Sequence, residues 1–145
     1  MTTNQRNLHL EYTIVCEDVR IEMTRNLSLM GILHFINVPQ MPVTVLKLAV
    51  VNHWRGGGRH LTEVRILTPD RQNTVAASHP SGIEIPDNGG ADNVTVFTNV
   101  TFSQPGAYVV QTLVDSTLFS ERLLHVNHVR QGQPAVEVPG SDEIQ

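Results

Sequence analysis

Apolar residues recur at every second position along most of this chain, and Gly, Pro, Asn or Asp interrupts the pattern at short intervals. Such alternation with β-branched residues is the mark of strands buried on one face, and spaced turn signals favour a sandwich or barrel over a helical fold. Leu8 to Cys16 reads as the first strand, with Leu8, Leu10, Tyr12 and Ile14 on one face, and Leu27 to Ile36 as a second apolar run. Gly31 inside that run predicts a bulge or a close backbone approach. Pro39 and Pro42 lack a donor N–H and mark a crossing to another strand. Val45 to Trp54 places Leu46, Leu48 and Val50 on one face and Lys47 and His53 on the other. A turn on Gly56-Gly57 is then expected to fold the chain back as a hairpin onto His60 to Leu67.

Downstream, Thr68-Pro-Asp-Arg71 reads as a turn, Thr74 to Ala77 as a short strand, and His79 to Gly90 as a long polar loop with Ile83 and Ile85 as its one edge-strand signal. Val94, Val96, Val100 and Phe102 are expected to share the buried face of a core strand. Pro105-Gly106 leads into Ala107 to Val114, and Asp115-Ser116 turns the chain into Thr117 to Val126 as a second hairpin. The pattern predicts an all-β fold, a two-sheet antiparallel sandwich of about seven to nine strands. Residues 1–130 form its single domain, and 131–145, which are rich in Gly, Pro and acids without any period, form a flexible acidic tail.

Charge and composition narrow the function. The net charge of −4 over 145 residues includes Glu137, Asp142 and Glu143 of the tail, so the domain itself is nearly neutral. Its basic residues are scattered from Arg6 to Arg130 and make no stripe of the kind that nucleic-acid binding uses, so no nucleic acid is expected as a partner. No apolar run is long enough to cross a membrane as a helix, and the polar start predicts no secretory signal. Cys16 is the single cysteine, ending an apolar strand, which predicts a buried, inert thiol and a cytoplasmic, reducing location.

Two stretches carry a resemblance. Pro105-Gly-Ala-Tyr108-Val-Val110-Gln-Thr112-Leu-Val114-Asp115 resembles the penultimate strand of immunoglobulin-like sandwiches, which implies a tyrosine corner at Tyr108 and favours that topology over a jelly roll. Cys16-Glu-Asp-Val-Arg20, Asn26-Leu-Ser-Leu-Met-Gly31 and Val38-Pro-Gln-Met-Pro42, followed by His60-Leu-Thr-Glu-Val64 and Thr68-Pro-Asp70, resemble an uncharacterised bacterial family of short β-sandwich proteins. The resemblance implies no activity.

The candidate sites are few. In the predicted hairpin His53 and His60 fall opposite one another, but two ligands do not make a zinc site, and Glu63 and Asp70 are not placed to complete one. Trp54 would face Arg59 at the hairpin tip, where Trp54, Arg55, Arg59 and His60 form a candidate ligand or partner contact. His125 and His128 sit at odd spacing and face opposite ways on a strand. No serine lies in a nucleophile elbow, so no catalytic residue, metal or cofactor is assigned. The last hairpin is apolar on both faces, and Val109, Leu113 and Leu123 are the expected oligomer face. The expectation is a non-enzymatic intracellular scaffold or interaction module, self-associating, with protein as its partner. The alternatives are a small-molecule or carbohydrate-binding domain using the hairpin tip, and a metal-dependent enzyme built on His53 and His60.

Overall fold

A computed structural model describes residues 7–130; the expected acidic tail, 131–145, lies outside the described residues. Eight strands account for most of the described chain, and it contains no α-helix. They are β1 (His9–Ile21), β2 (Leu27–Ile32), β3 (Phe35–Val38), β4 (Val43–Leu67), β5 (Thr74–Ala77), β6 (Ser81–Phe102), β7 (Gly106–Val114) and β8 (Thr117–His128). The fold is all-β, as the alternation predicts. Its layout is one curled, open, mixed sheet in the order β2-β1-β4-β7-β8-β3, with β5 and β6 also paired to β4, and the expected antiparallel pairing is broken by the parallel pair β3–β8.

The largest departure from expectation is at Gly56-Gly57-Gly58. In place of a hairpin, β4 continues through the glycines as one strand of 25 residues, and the expected polar loop before Gly90 belongs to β6, its antiparallel partner of 22 residues. The register between the two slips between Gly56 and Gly58, where Pro86, Asp87 and Asn88 of β6 stand against the single residue Gly57 of β4. Gly56 and Gly58 have φ of 133° and 101°, and Asn88 has φ 57°, so both strands bend together here. A side chain at Gly56 would strike the carbonyl of Asn7, so glycine is required by contact as well as by conformation.

The bend brings the two arms of the sheet face to face. Val15, Leu48, Val50, Phe97, Val100 and Phe102 come from one arm and Val64, Ile66, Tyr108, Val110, Leu124 and Val126 from the other, forming the main core. A smaller core of Leu8, Trp54, Ile85 and Val114 lies near the bend. Between them runs a buried polar belt. Asn52 Nδ2 donates to Thr112 Oγ1 at 3.2 Å, Thr62 Oγ1 donates to Asn93 Oδ1 at 3.1 Å, and Thr13 Oγ1 donates to Asn52 Oδ1 at 2.5 Å. Each of these bonds satisfies a group that would otherwise be costly to bury.

Two irregularities reverse the predicted faces. The β1–β4 register shifts between Leu10 and Tyr12, so Leu8 and Leu10 point into the small core while Tyr12 turns outward beside His53. On β6, Asn99 has φ 54°, and the inward positions change from Phe97 to Val100 across it. Val100 and Phe102 are buried as expected, but Val94 and Val96 are exposed on the outer surface. Leu46, opposite this irregularity on β4, is likewise exposed, although its predicted face-mates Leu48 and Val50 are buried. Local features were more legible. β5 has the predicted bounds, Asp115 and Ser116 make the turn between β7 and β8 with φ of 49° and 68°, and the Tyr108 hydroxyl donates to the Gln104 carbonyl at 2.6 Å.

Candidate functional site

The predicted binding tip is dispersed by the continuous β4 strand. Trp54 is completely buried, edge-on to Phe119 with ring centroids 5.4 Å apart, and it does not face Arg59. Arg55 pairs with Glu11 at 3.2 Å and Arg59 with Glu84 at 3.6 Å. His60 is buried, with Nε2 3.1 Å from the Gly57 carbonyl and Nδ1 3.5 Å from Asp115 Oδ2, so it clamps the bend to the β7–β8 turn. His53 and His60 lie on one strand at odd spacing and therefore face opposite sides, so they share no ligand. Among the described residues no group of three or more His, Cys, Asp or Glu is placed to hold a metal ion. An open groove of about 1010 Å³ does lie at the bend, lined by His9, Glu11, Arg55, Gly57, Asp87 and Asn88. Of the four predicted tip residues only Arg55 borders it.

The expected oligomer face is also divided. Val109 and Leu113 are buried within the single chain, whereas Leu123 is 56% exposed. β7 is central in the sheet, paired on both sides: the register sets Val109 between Leu67 and Leu123, and Leu113 between Glu63 and Leu118.

A different surface is open. From Ala91 to Phe102, β6 pairs with β4 on one side, and among the described residues no strand pairs with its other side. The sequence Asn93-Val-Thr-Val-Phe-Thr-Asn-Val-Thr-Phe102 carries no charge, proline or glycine. Natural edge strands are usually guarded by lysine, proline or an inward charge against pairing with other chains. None of those guards occurs within this segment. Val94 and Val96 stand on its outer face, 37% and 47% exposed. Behind them, Cys16, Ala49 and Val51 form a buried apolar floor with Val19, Leu27 and Leu29 packed against it. Burial, first of all, pushes the Cys16 thiol up, and its Sγ lies 3.4 Å from the Asp18 carbonyl.

Polar rows flank this apolar strip on the same face. At one end Tyr12 stacks on His53 with centroids 5.1 Å apart, and His53 Nδ1 lies 2.7 Å from Asp92 Oδ1. Partial burial, and then the charge of Asp92, pushes the Tyr12 phenol above its ordinary value. At the other end Lys47 pairs with Asp18 at 2.7 Å and lies beside Thr98 in the β4–β6 register. The Lys47 ammonium, first of all, holds the Asp18 carboxyl below its usual range.

The model of a family of unknown function, DUF6941, matches residues 11–127, from the β1 irregularity to the penultimate residue of β8. The chain belongs to that family. No curated protein matches this DUF6941 member by sequence. Among solved structures, the alkylpurine DNA glycosylase AlkC of Pseudomonas fluorescens, bound to DNA containing an abasic site analogue, is similar at a TM-score of 0.53 and 8% identity. That alignment covers 83% of this chain and 30% of AlkC, and it speaks to fold alone. A β-glucosidase from Listeria innocua in complex with glucose aligns at a TM-score of 0.49 and 11% identity, over 85% of this chain and 16% of the enzyme. The DUF6941 chain thus spans less than a third of either protein. Among its described residues no helix is long and apolar enough to cross a membrane.

The uncharged run from Asn93 to Phe102 was visible in the sequence, but its alternation read as core. Alternation shows that a strand has two unlike faces and does not reveal which edge is left unpaired.

Proposed function

We propose that this DUF6941 chain is a non-catalytic interaction module that takes up an extended segment of a partner protein on the free edge of β6. The observation that carries the reading is the free, uncharged edge from Asn93 to Thr98, which carries the exposed Val94 and Val96. An added strand gains main-chain hydrogen bonds along the edge, and side chains at alternate positions supply selectivity. Val94 and Val96 would receive apolar side chains at such alternate positions. The histidines of the candidate enzyme site are engaged in structural contacts, His60 with Gly57 and Asp115, and His53 with Asp92 and Tyr12. A buried, unpaired Cys16 suits a reducing compartment such as the cytoplasm.

The test is an array of extended peptides, apolar at alternate positions, probed with the wild-type chain and with Val96→Lys. Val96 is exposed, so the lysine adds an edge guard without entering the core. Retention of wild type and loss with the variant is the expected result. Equal retention of both, or retention of neither when the wild-type chain is monomeric, would overturn the reading.

A further inference from the structure

We infer that the strand covering the β6 edge is β6 of a second copy of this chain, antiparallel to the first and related to it by a two-fold axis at Thr95. This deepens the strand-addition reading and rests on it.

Two-fold pairing is self-limiting, because each edge is used by the other and no free edge remains between them. In any such pair, residues equally distant from the axis face one another. With the axis at Thr95, Val94 of each copy faces Val96 of the other. The four exposed valines then form one apolar cluster continuous with the floor of Cys16, Ala49 and Val51. In the same register Asp92 faces Thr98 of the other copy, and Thr98 is the β4–β6 neighbour of Lys47. Adjacent strands are separated by about 4.8 Å, so Asp92 and Lys47 lie two strand spacings apart on one face, within joint reach of their side chains.

The resulting row crosses both copies: Asp18, Lys47 and Thr98 of one, then Asp92, His53 and Tyr12 of the other. Lys47 thus stands between carboxylates, and the symmetry repeats the row at the other end of the strip. An axis at Val96 would set Asp92 against Val100 and Val94 against Thr98, and an axis at Phe97 would set Asp92 against Phe102. Only the Thr95 axis joins valine to valine and acid to base. No like charges meet, because Asp92 is the sole charged residue of β6 between Ala91 and Phe102.

Cross-linking under mild oxidation, in a Cys16→Ala background so that the introduced cysteine stands alone, tests the register. Cα atoms of directly opposed strand residues are about 4.5 to 5.5 Å apart, within disulfide range. Thr95→Cys is therefore expected to give a covalent dimer. Thr98→Cys, removed from its own copy by six residues or roughly 20 Å along the strand, is expected to give none. Light scattering on the unmodified chain at micromolar concentration should report a dimer, and Val96→Lys should convert it to a folded monomer with an unchanged circular-dichroism spectrum. Cross-linking through Thr98→Cys, a dimer that survives Val96→Lys, or a wild-type monomer would each overturn self-pairing. A wild-type monomer that still retains extended peptides would leave the strand-addition reading standing, whereas one that retains none would remove both.

Discussion

Trp54 is completely buried among Leu8, Ile85 and Val114, yet its indole Nε1 finds no hydrogen-bond partner. An orphaned donor costs about 1 to 3 kcal/mol, which the apolar area of a large aromatic side chain more than offsets. Two substitutions separate these effects. Trp54→Phe removes the orphaned N–H with a modest loss of volume, and it is expected to change stability by less than about 1.5 kcal/mol. Trp54→Ala empties the small core and is expected to lose about 3 to 5 kcal/mol. Urea denaturation of both variants gives the comparison; an alanine variant as stable as wild type would mean that Trp54 does not hold the bend. The same residue shows why the predicted binding tip failed. A tryptophan next to arginine and three glycines reads as an exposed loop anchor when the strand is assumed to stop there. On a continuous strand it occupies the same inward phase as Leu48, Val50 and Asn52. Asn52 was the available signal for the polar belt, since it interrupts that apolar phase with an amide.

At the level of elements, legibility followed sequence distance. The turn at Asp115-Ser116, the β7–β8 hairpin and the hydrogen bond from Tyr108 to Gln104 involve residues close in the chain, so local turn chemistry determined them. The β4–β6 pairing joins segments far apart, and three consecutive glycines offer the backbone both a turn and a bend. The choice between these is made by tertiary contacts, among them the close passage of Asn7 over Gly56 and the contact of His60 with the Gly57 carbonyl. The free edge of β6 was illegible for the same reason, because an edge is defined by which strands do not pair. Gly56→Ala tests the bend. Its φ of 133° is unfavourable for an L-residue, and the added methyl would meet the Asn7 carbonyl, so the expected loss is about 1 to 3 kcal/mol. Gly82, where an added Cβ meets nothing within 4 Å, provides the control, and Gly82→Ala should be nearly neutral. Equal thermal shifts for the two variants would contradict the role of Gly56.

Across the whole molecule, the curled sheet joins distant segments through charged contacts at its surface. Arg71 in the β4–β5 turn reaches Glu121 of β8 at 2.6 Å, and Lys47 of β4 reaches Asp18 of β1 at 2.7 Å. Glu121 is held below its usual range by the hydrogen bond from Arg71 first and Gln111 second, and Asp18 by Lys47 first and the Val19 N–H second. Asp70 is lowered by the Thr68 hydroxyl first and the Gln72 N–H second, which steadies the turn that carries Arg71. A lowered folded-state value means that the unfolded chain binds protons more readily than the folded one, so stability rises with pH across that interval. The contribution is complete above the unfolded carboxylate values of about 4 and is lost as pH falls through the lower folded-state values. Because these groups are at the surface, each effect is small and weakened by salt. Thermal unfolding in low salt should therefore show a melting temperature that falls as the pH is taken below about 4, with a shallower fall for Glu121→Gln, which has no proton left to take up at that site. If Glu121→Gln fell as steeply as wild type, or if high salt left the slopes unchanged, the contact between the β4–β5 turn and β8 would not be a source of the acid sensitivity.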